Sequence, residues 1–231
     1  MARILVGGVY LTDRPSTVDA AVAAFSASSQ HEIVQRWIAL GPAPERPVPH
    51  TVRHVDKRTP KYHLLNALFE DAALFDWVVA CDDDVEFGEG FVDRFFALAE
   101  THDFALCQPA RTRESYIDHA ITAEIEGIAA RRTRFVEIGP VTVLRHDAVR
   151  LLLPFTDSEG MGWGLDFVWP AIMETNGLRL GIVDGAPVHH RLRPSVVNYS
   201  YADAEARMNE VVAAVPHLSR AEAYRILETY P

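Results

Sequence analysis

The sequence predicts an α/β fold: a single domain with a mostly parallel central sheet flanked by helices. Short β-branched apolar runs alternate with stretches whose apolar residues recur at helical spacing, the pattern of strands crossed over by helices. One apolar run, residues 77–81 (WVVAC), ends abruptly in Asp82, Asp83 and Asp84, and strand ends of this kind are where open α/β sheets gather ligands. With 48% hydrophobic and 23% charged residues over 231 positions, the chain is long enough to bury a full core.

Residues 3–11 (RILVGGVYL) read as the first strand, followed by a turn whose Ser16 can cap a helix over 17–28. Residues 31–40 alternate as a second strand, stopped by Gly41, Pro42, Pro44, Pro47 and Pro49. Residues 51–56 form a short third strand. Pro60 then opens a helix in which Leu64, Leu65, Leu68 and Phe69 share one face. After the acidic strand come a helix over 91–99 and a strand over 104–108. Residues 111–134, rich in Arg, read as a connection carrying a helix near 122–130. An extended stretch over 135–144, bent at Gly139 and Pro140, leads to a short helix over 146–153. Gly160 and Gly162 loosen the chain before a helix that runs past Met173 to Gly177. A strand over 178–183 leads to Pro187, Val188, His189 and His190. Two amphipathic helices, 201–215 and 219–228, close the chain as a helical extension over 200–231.

The formal net charge of -10 and the lack of a Lys/Arg run argue against a nucleic-acid partner, because neutralising phosphates needs a basic surface. Cys81 and Cys107 both lie in apolar runs, so they read as inert core thiols rather than a disulfide, and a reducing compartment suits them. No window approaches membrane-spanning length, and the N-terminal apolar run is too short for a signal segment. A cytoplasmic location is the expectation.

Three adjacent carboxylates at the exit of a buried strand repel one another, which raises pKa values or demands a cation; this suggests a hard-metal site, and oxygen ligands fit Mg²⁺ or Mn²⁺. Further along, the segment GMGWGLDFVW sets a carboxylate, Asp166, beside an aromatic, Trp163, and Gly162 and Gly164 let backbone approach closely. Of the successive imidazoles His189 and His190, extended geometry aims one each way. Arg191 and Arg193 match phosphate oxygens.

With these residues in view, the chain resembles the nucleotide-sugar-dependent glycosyltransferases of GT-A type. The resemblance covers residues 3–199, with 1–110 as the nucleotide-sugar-binding half and 111–199 as the acceptor-binding half. It rests on the segment KYHLLNALFEDAALFDWVVACDDDV, in which Asp82 and Asp84 match the D-x-D carboxylates, on the W-G-L-D element, and on a late His. The resemblance implies a Rossmann-like GT-A fold and a metal held by Asp84, Asp82 and His189, with His190 the next candidate. It implies that Asp56, Lys61 and Asn66 contact the nucleoside, with Asp82 and Asp83 beside them, and that Arg191 and Arg193 clamp the diphosphate. Gly7 and Tyr10 are candidate base contacts. The donor it implies is a UDP-sugar and the acceptor a hydroxyl of a small molecule or glycan, with Asp166 as base and inversion as the outcome. Metal-dependent phosphoryl or nucleotidyl transfer uses the same strand-end carboxylates, and a binding protein without turnover would keep the same pocket.

Overall fold

The computed structural model describes residues 1–156, 160–194 and 200–231. The strands are β1 (Arg3–Leu11), β2 (Glu32–Leu40), β3 (Thr51–Val55), β4 (Trp77–Asp82), β5 (Glu86–Phe87), β6 (Phe104–Arg111), β7 (Ala130–Thr133), β8 (Val141–Arg145), β9 (Arg179–His189) and β10 (Ile226–Tyr230). The helices are α1 (Val18–Ser26), α2 (Lys61–Leu68), α3 (Phe91–Thr101), α4 (His146–Leu152), α5 (Leu165–Thr175), α6 (Tyr201–Ala214) and α7 (Arg220–Ala223). One sheet contains all ten strands, in the order β10-β7-β9-β6-β8-β4-β1-β2-β3 with β5 paired to β9. Strands β1, β2, β3, β4, β6, β9 and β10 run one way, and β5, β7 and β8 run the other.

The apolar runs are continuous because both faces of the sheet are covered. Successive side chains alternate across the pleat: Ile4, Val6, Trp77, Val79 and Cys81 join one core with α1 and α3, while Leu5, Val78 and Ala80 join the other with α2, α4 and α5. Gly8 sits under the Trp37 ring and the Cys81 carbonyl, where a methyl group would overlap both. Cys81 and Cys107 are buried free thiols, and burial pushes both up in pKa. Among the described residues no helix is long and apolar enough to cross a membrane.

Two expected helices are not formed. The stretch 122–130 has a single 3-10 turn, Ala120–Thr122, then a Gly127 with φ 79°, and enters β7. The cause is Arg131, which is buried and donates to Asp184 through Nε and Nη2, both at 2.9 Å, and to the carbonyls of Ile121 and Ala123. The segment is held against β9 by that fork rather than by a helix face. The helix expected over 219–228 is one turn, α7, with a Ser219–Glu222 capping box; β10 follows and pairs antiparallel with β7. The closing segment therefore carries a strand of the central sheet, and Tyr230 stacks on His102 with ring centroids 4.0 Å apart. Of the expected 135–144 extension, only Val141–Arg145 is strand. The domain boundary expected at residue 199 lies outside the described residues.

Removing one partner of a buried ion pair leaves an uncompensated charge, at a cost of about 3–5 kcal/mol. Arg131→Ala is expected to lose that much in urea unfolding, and the double change Arg131→Met with Asp184→Leu is expected to recover most of it.

Candidate active site

Strand β4 delivers the acidic triplet, and the chain turns directly after Asp82, so the three carboxylates find different partners. Asp82 is ion-paired with Lys61 at the start of α2 and lies beside Gly139. Asp83 turns inward. It is 4% exposed, accepts from the Leu11 backbone N–H at 2.8 Å and is gripped by Arg193. Its backbone carbonyl receives Ser16 Oγ at 2.8 Å and Thr17 N at 2.7 Å, so the β1–α1 turn is tied to the triplet. Asp84 faces His190 through Oδ1, 3.3 Å from Nε2, and Arg193 through Oδ2, 3.1 Å from Nε. Burial pushes the Asp83 carboxyl up despite Arg193. For Asp84 burial pushes the same way, but His190 and Arg193 outweigh it and hold the carboxyl below its ordinary range.

The two imidazoles diverge, as alternation requires. His189 pairs in register with Glu86 and its Nδ1 meets Thr112 Oγ1 at 2.8 Å. His190 is the imidazole that meets Asp84, in place of the His189 expected there. Its backbone N–H donates to Ser115 Oγ at 2.9 Å, and its Nδ1 is buried without a partner. Arg193 also donates to the Pro15 carbonyl at 3.1 Å. Arg191, by contrast, lies exposed against Glu86 at 3.4 Å.

Residues 111–119 connect this cluster to a second one. The Tyr116 N–H donates to the His190 carbonyl at 2.8 Å, and the Tyr116 carbonyl accepts from Arg111 at 2.7 Å. Arg111 is 1% exposed and pairs with Glu137 at 2.6 Å. Close by, Asp166 in the first turn of α5 is buried, with Oδ1 unpartnered among the described residues and Oδ2 3.6 Å from His119 Nε2. Burial pushes Asp166 up to about 7 against the pull of nearby backbone N–H groups, and pushes Glu137 up to about 8 despite Arg111. Burial also lowers His119 to about 4, so its imidazole is neutral at pH 7. His119 Nδ1 is hydrogen-bonded to the Tyr224 hydroxyl, and its Nε2 lies on the Asp166 side. Arg111, His119, Glu137 and Tyr224 carried no local motif; only their convergence in space identifies them.

Gly164 opens α5 at φ 96°, a left-handed conformation that favours glycine, with Met208 and Val212 of α6 against it. A methyl on Gly162 would strike the Tyr62 ring. Trp163 meets Tyr201 edge-on, with ring centroids 5.0 Å apart. Asp56 is exposed at the carboxyl end of β3. Three expected nucleoside contacts have other duties. Gly7 is a mid-strand residue covered by the Phe69 ring. Tyr10 is 4% exposed and its hydroxyl is engaged by Thr51 Oγ1 at 3.0 Å and the Val48 N–H. Asn66 uses both ends of its amide on the Phe155 backbone, donating at 3.0 Å and accepting at 2.7 Å.

Among the described residues no three His, Cys, Asp or Glu side chains converge as a metal shell, so the expected set of Asp82, Asp84, His189 and His190 does not assemble. Asp84 and His190 alone supply two donors at 3.3 Å. Neighbouring ligands of an octahedral ion at about 2.1 Å lie roughly 3 Å apart, and Mg²⁺-like ions are commonly held by one or two side chains plus substrate phosphates. The pair fits an ion that arrives with a diphosphate rather than one caged by protein.

Because Asp166 binds a proton more tightly when folded than when unfolded, its burial favours the folded state below about pH 4, and this is lost as pH rises toward 7. Asp166→Asn is expected to flatten the fall in urea-unfolding stability between pH 4 and 7, by at most about 4 kcal/mol.

Two solved structures share the fold. TarS 1-349 of S. aureus in complex with UDP-GlcNAc matches with a TM-score of 0.59 at 8% identity, over 96% of this chain and 69% of that one. GalNAc-T7 with UDP, GalNAc and Mn²⁺ matches with a TM-score of 0.61 at 10% identity, over 91% of this chain and 48% of that one. This chain therefore spans about half the length of GalNAc-T7. No protein-family model matches the chain, and no curated protein matches it by sequence. What is shared is the fold, a central sheet of mostly parallel strands flanked by helices, in the GT-A arrangement expected from the sequence.

Proposed function

We propose that the chain is a nucleotide-sugar-dependent glycosyltransferase of GT-A type that moves a sugar from a UDP-sugar to an acceptor hydroxyl of a small molecule or glycan, with Mn²⁺ or Mg²⁺. One observation carries the reading. Asp84 and His190, far apart in sequence, meet at the carboxyl end of β4, one short connection away from a buried carboxylate poised near neutrality. The UDP-GlcNAc of TarS and the UDP, GalNAc and Mn²⁺ of GalNAc-T7 support the donor class and the ion.

Asp84 and His190 would hold the ion, which when bound supplies Lewis-acid stabilisation of the diphosphate charge. Asp82, fixed by Lys61, and Asp56, exposed at the same edge of the sheet, bind the nucleoside and its ribose. Trp163 presents its ring to a sugar. Asp166 takes the acceptor's proton on Oδ1, the oxygen with no protein partner, and its pKa near 7 suits a base at neutral pH. Neutral His119 lies beside the carboxylate, with Nε2 3.6 Å from Oδ2. Attack guided by Asp166 from the side away from the diphosphate inverts the anomeric centre.

Asp84→Ala is expected to abolish metal-dependent UDP binding in calorimetry. Asp166→Asn should leave UDP binding near normal while cutting turnover on the order of a hundredfold or more; equal losses of UDP binding in both variants would contradict this division of roles. The two imidazoles separate in the same assay: His190→Ala is expected to weaken metal-dependent binding at least tenfold, and His189→Ala to change it little. NMR of the product's anomeric proton reads the stereochemical outcome, and retention would remove Asp166 from the role of base.

A further inference from the structure

We infer that Arg193 is the resident counter-cation of the acidic cluster, so that a divalent ion gains Asp84 only in company with a nucleoside diphosphate that draws the guanidinium away. The sequence pattern alone suggests a phosphate clamp. The geometry gives Arg193 a different resting duty. Its planar fork spans two adjacent carboxylates, with Nε on Asp84 Oδ2 at 3.1 Å and the terminal nitrogens on Asp83. Its side chain is 15% exposed, and a further bond to the Pro15 carbonyl anchors it against the β1–α1 turn. Asp83 is anchored independently of Arg193, because the Leu11 N–H donates to its Oδ2 at 2.8 Å.

Asp84 has no oxygen to spare. Oδ1 faces His190 and Oδ2 faces the guanidinium, so a bare divalent ion at Oδ1 would sit beside a positive charge already in place. Like charges in a poorly solvated site repel strongly, and a bare ion brings nothing to offset this. A diphosphate does. It carries negative charge and oxygens in the bidentate geometry that guanidinium matches, so it offers Arg193 an alternative partner as the ion takes Asp84. Arg191, exposed on Glu86, holds no comparable position.

The inference depends on the glycosyltransferase reading only for the identity of the nucleotide. Its test measures Mn²⁺ binding to the full chain from the electron paramagnetic resonance signal of free Mn²⁺, without nucleotide and then with UDP. Wild type is expected to bind Mn²⁺ alone weakly and to tighten at least tenfold on adding UDP. Arg193→Gln is expected to bind Mn²⁺ alone at least tenfold tighter than wild type and to gain less from UDP. Adding Asp84→Asn to that variant should remove the gain. Arg193→Lys, which keeps charge without the fork, should show a smaller gain of the same sign and serves if the Gln variant does not fold. Mn²⁺ affinity in either variant equal to or below that of wild type overturns the inference. Failure of wild type to bind UDP with Mn²⁺ would instead count against the donor reading, while the comparison without nucleotide still judges Arg193.

Discussion

Three carboxylates in succession at the end of a buried strand set the terms for the rest of the molecule. Two unit charges about 4 Å apart interact by about 4 kcal/mol at the effective dielectric of a protein surface, so the triplet needs cations close by. They come from distant parts of the chain: Lys61 from α2 to Asp82, and Arg193, beyond the end of β9, to Asp83 and Asp84, with the His190 imidazole also facing Asp84. Satisfying the charges therefore joins the β4 end to both halves of the sheet. The β1–α1 turn is held by the same residues, through the Asp83 carbonyl and carboxylate.

Around Asp166 the chain leaves buried carboxylates with less compensation than at Asp84. Asp166 and Glu137 are as deeply buried as Asp83 and Asp84, each has an oxygen without a partner among the described residues, and both are held toward the protonated form. The two environments drive the pKa values apart: compensated Asp84 is held below its ordinary range, and Asp166 is pushed up to about 7. Tyr224 lies only two residues before β10, so closing the sheet with the last strand also brings its hydroxyl to His119 beside Asp166.

Much of this was legible from residue order. The continuous apolar runs of 3–11 and 77–81 read as strands, and the triplet at a strand exit and the W-G-L-D element carry the Asp84 and Asp166 carboxylates. The errors share a cause. Residues 122–130 and 219–228 have helical-looking composition, but the decisive events are the long-range fork from Arg131 to Asp184 and the pairing of β10 with β7. Gly7, Tyr10 and Asn66 lie near the expected nucleoside position in sequence, and their atoms are consumed by Phe69, Thr51 and Phe155. No spacing rule reveals such partners, because they depend on which side of a strand or helix each group faces after packing.

Local chemistry, then, is what the sequence determined by itself: which runs become strands and where carboxylates crowd at a strand end. Those follow from short-range sterics and from charges adjacent along the chain. Tertiary structure alone decided that His190 rather than His189 meets Asp84, that Arg193 rests on the acidic cluster, and that Glu137, His119 and Tyr224 surround Asp166. Burial and long-range pairing set those outcomes, and both arise only when segments distant in the chain exclude water together.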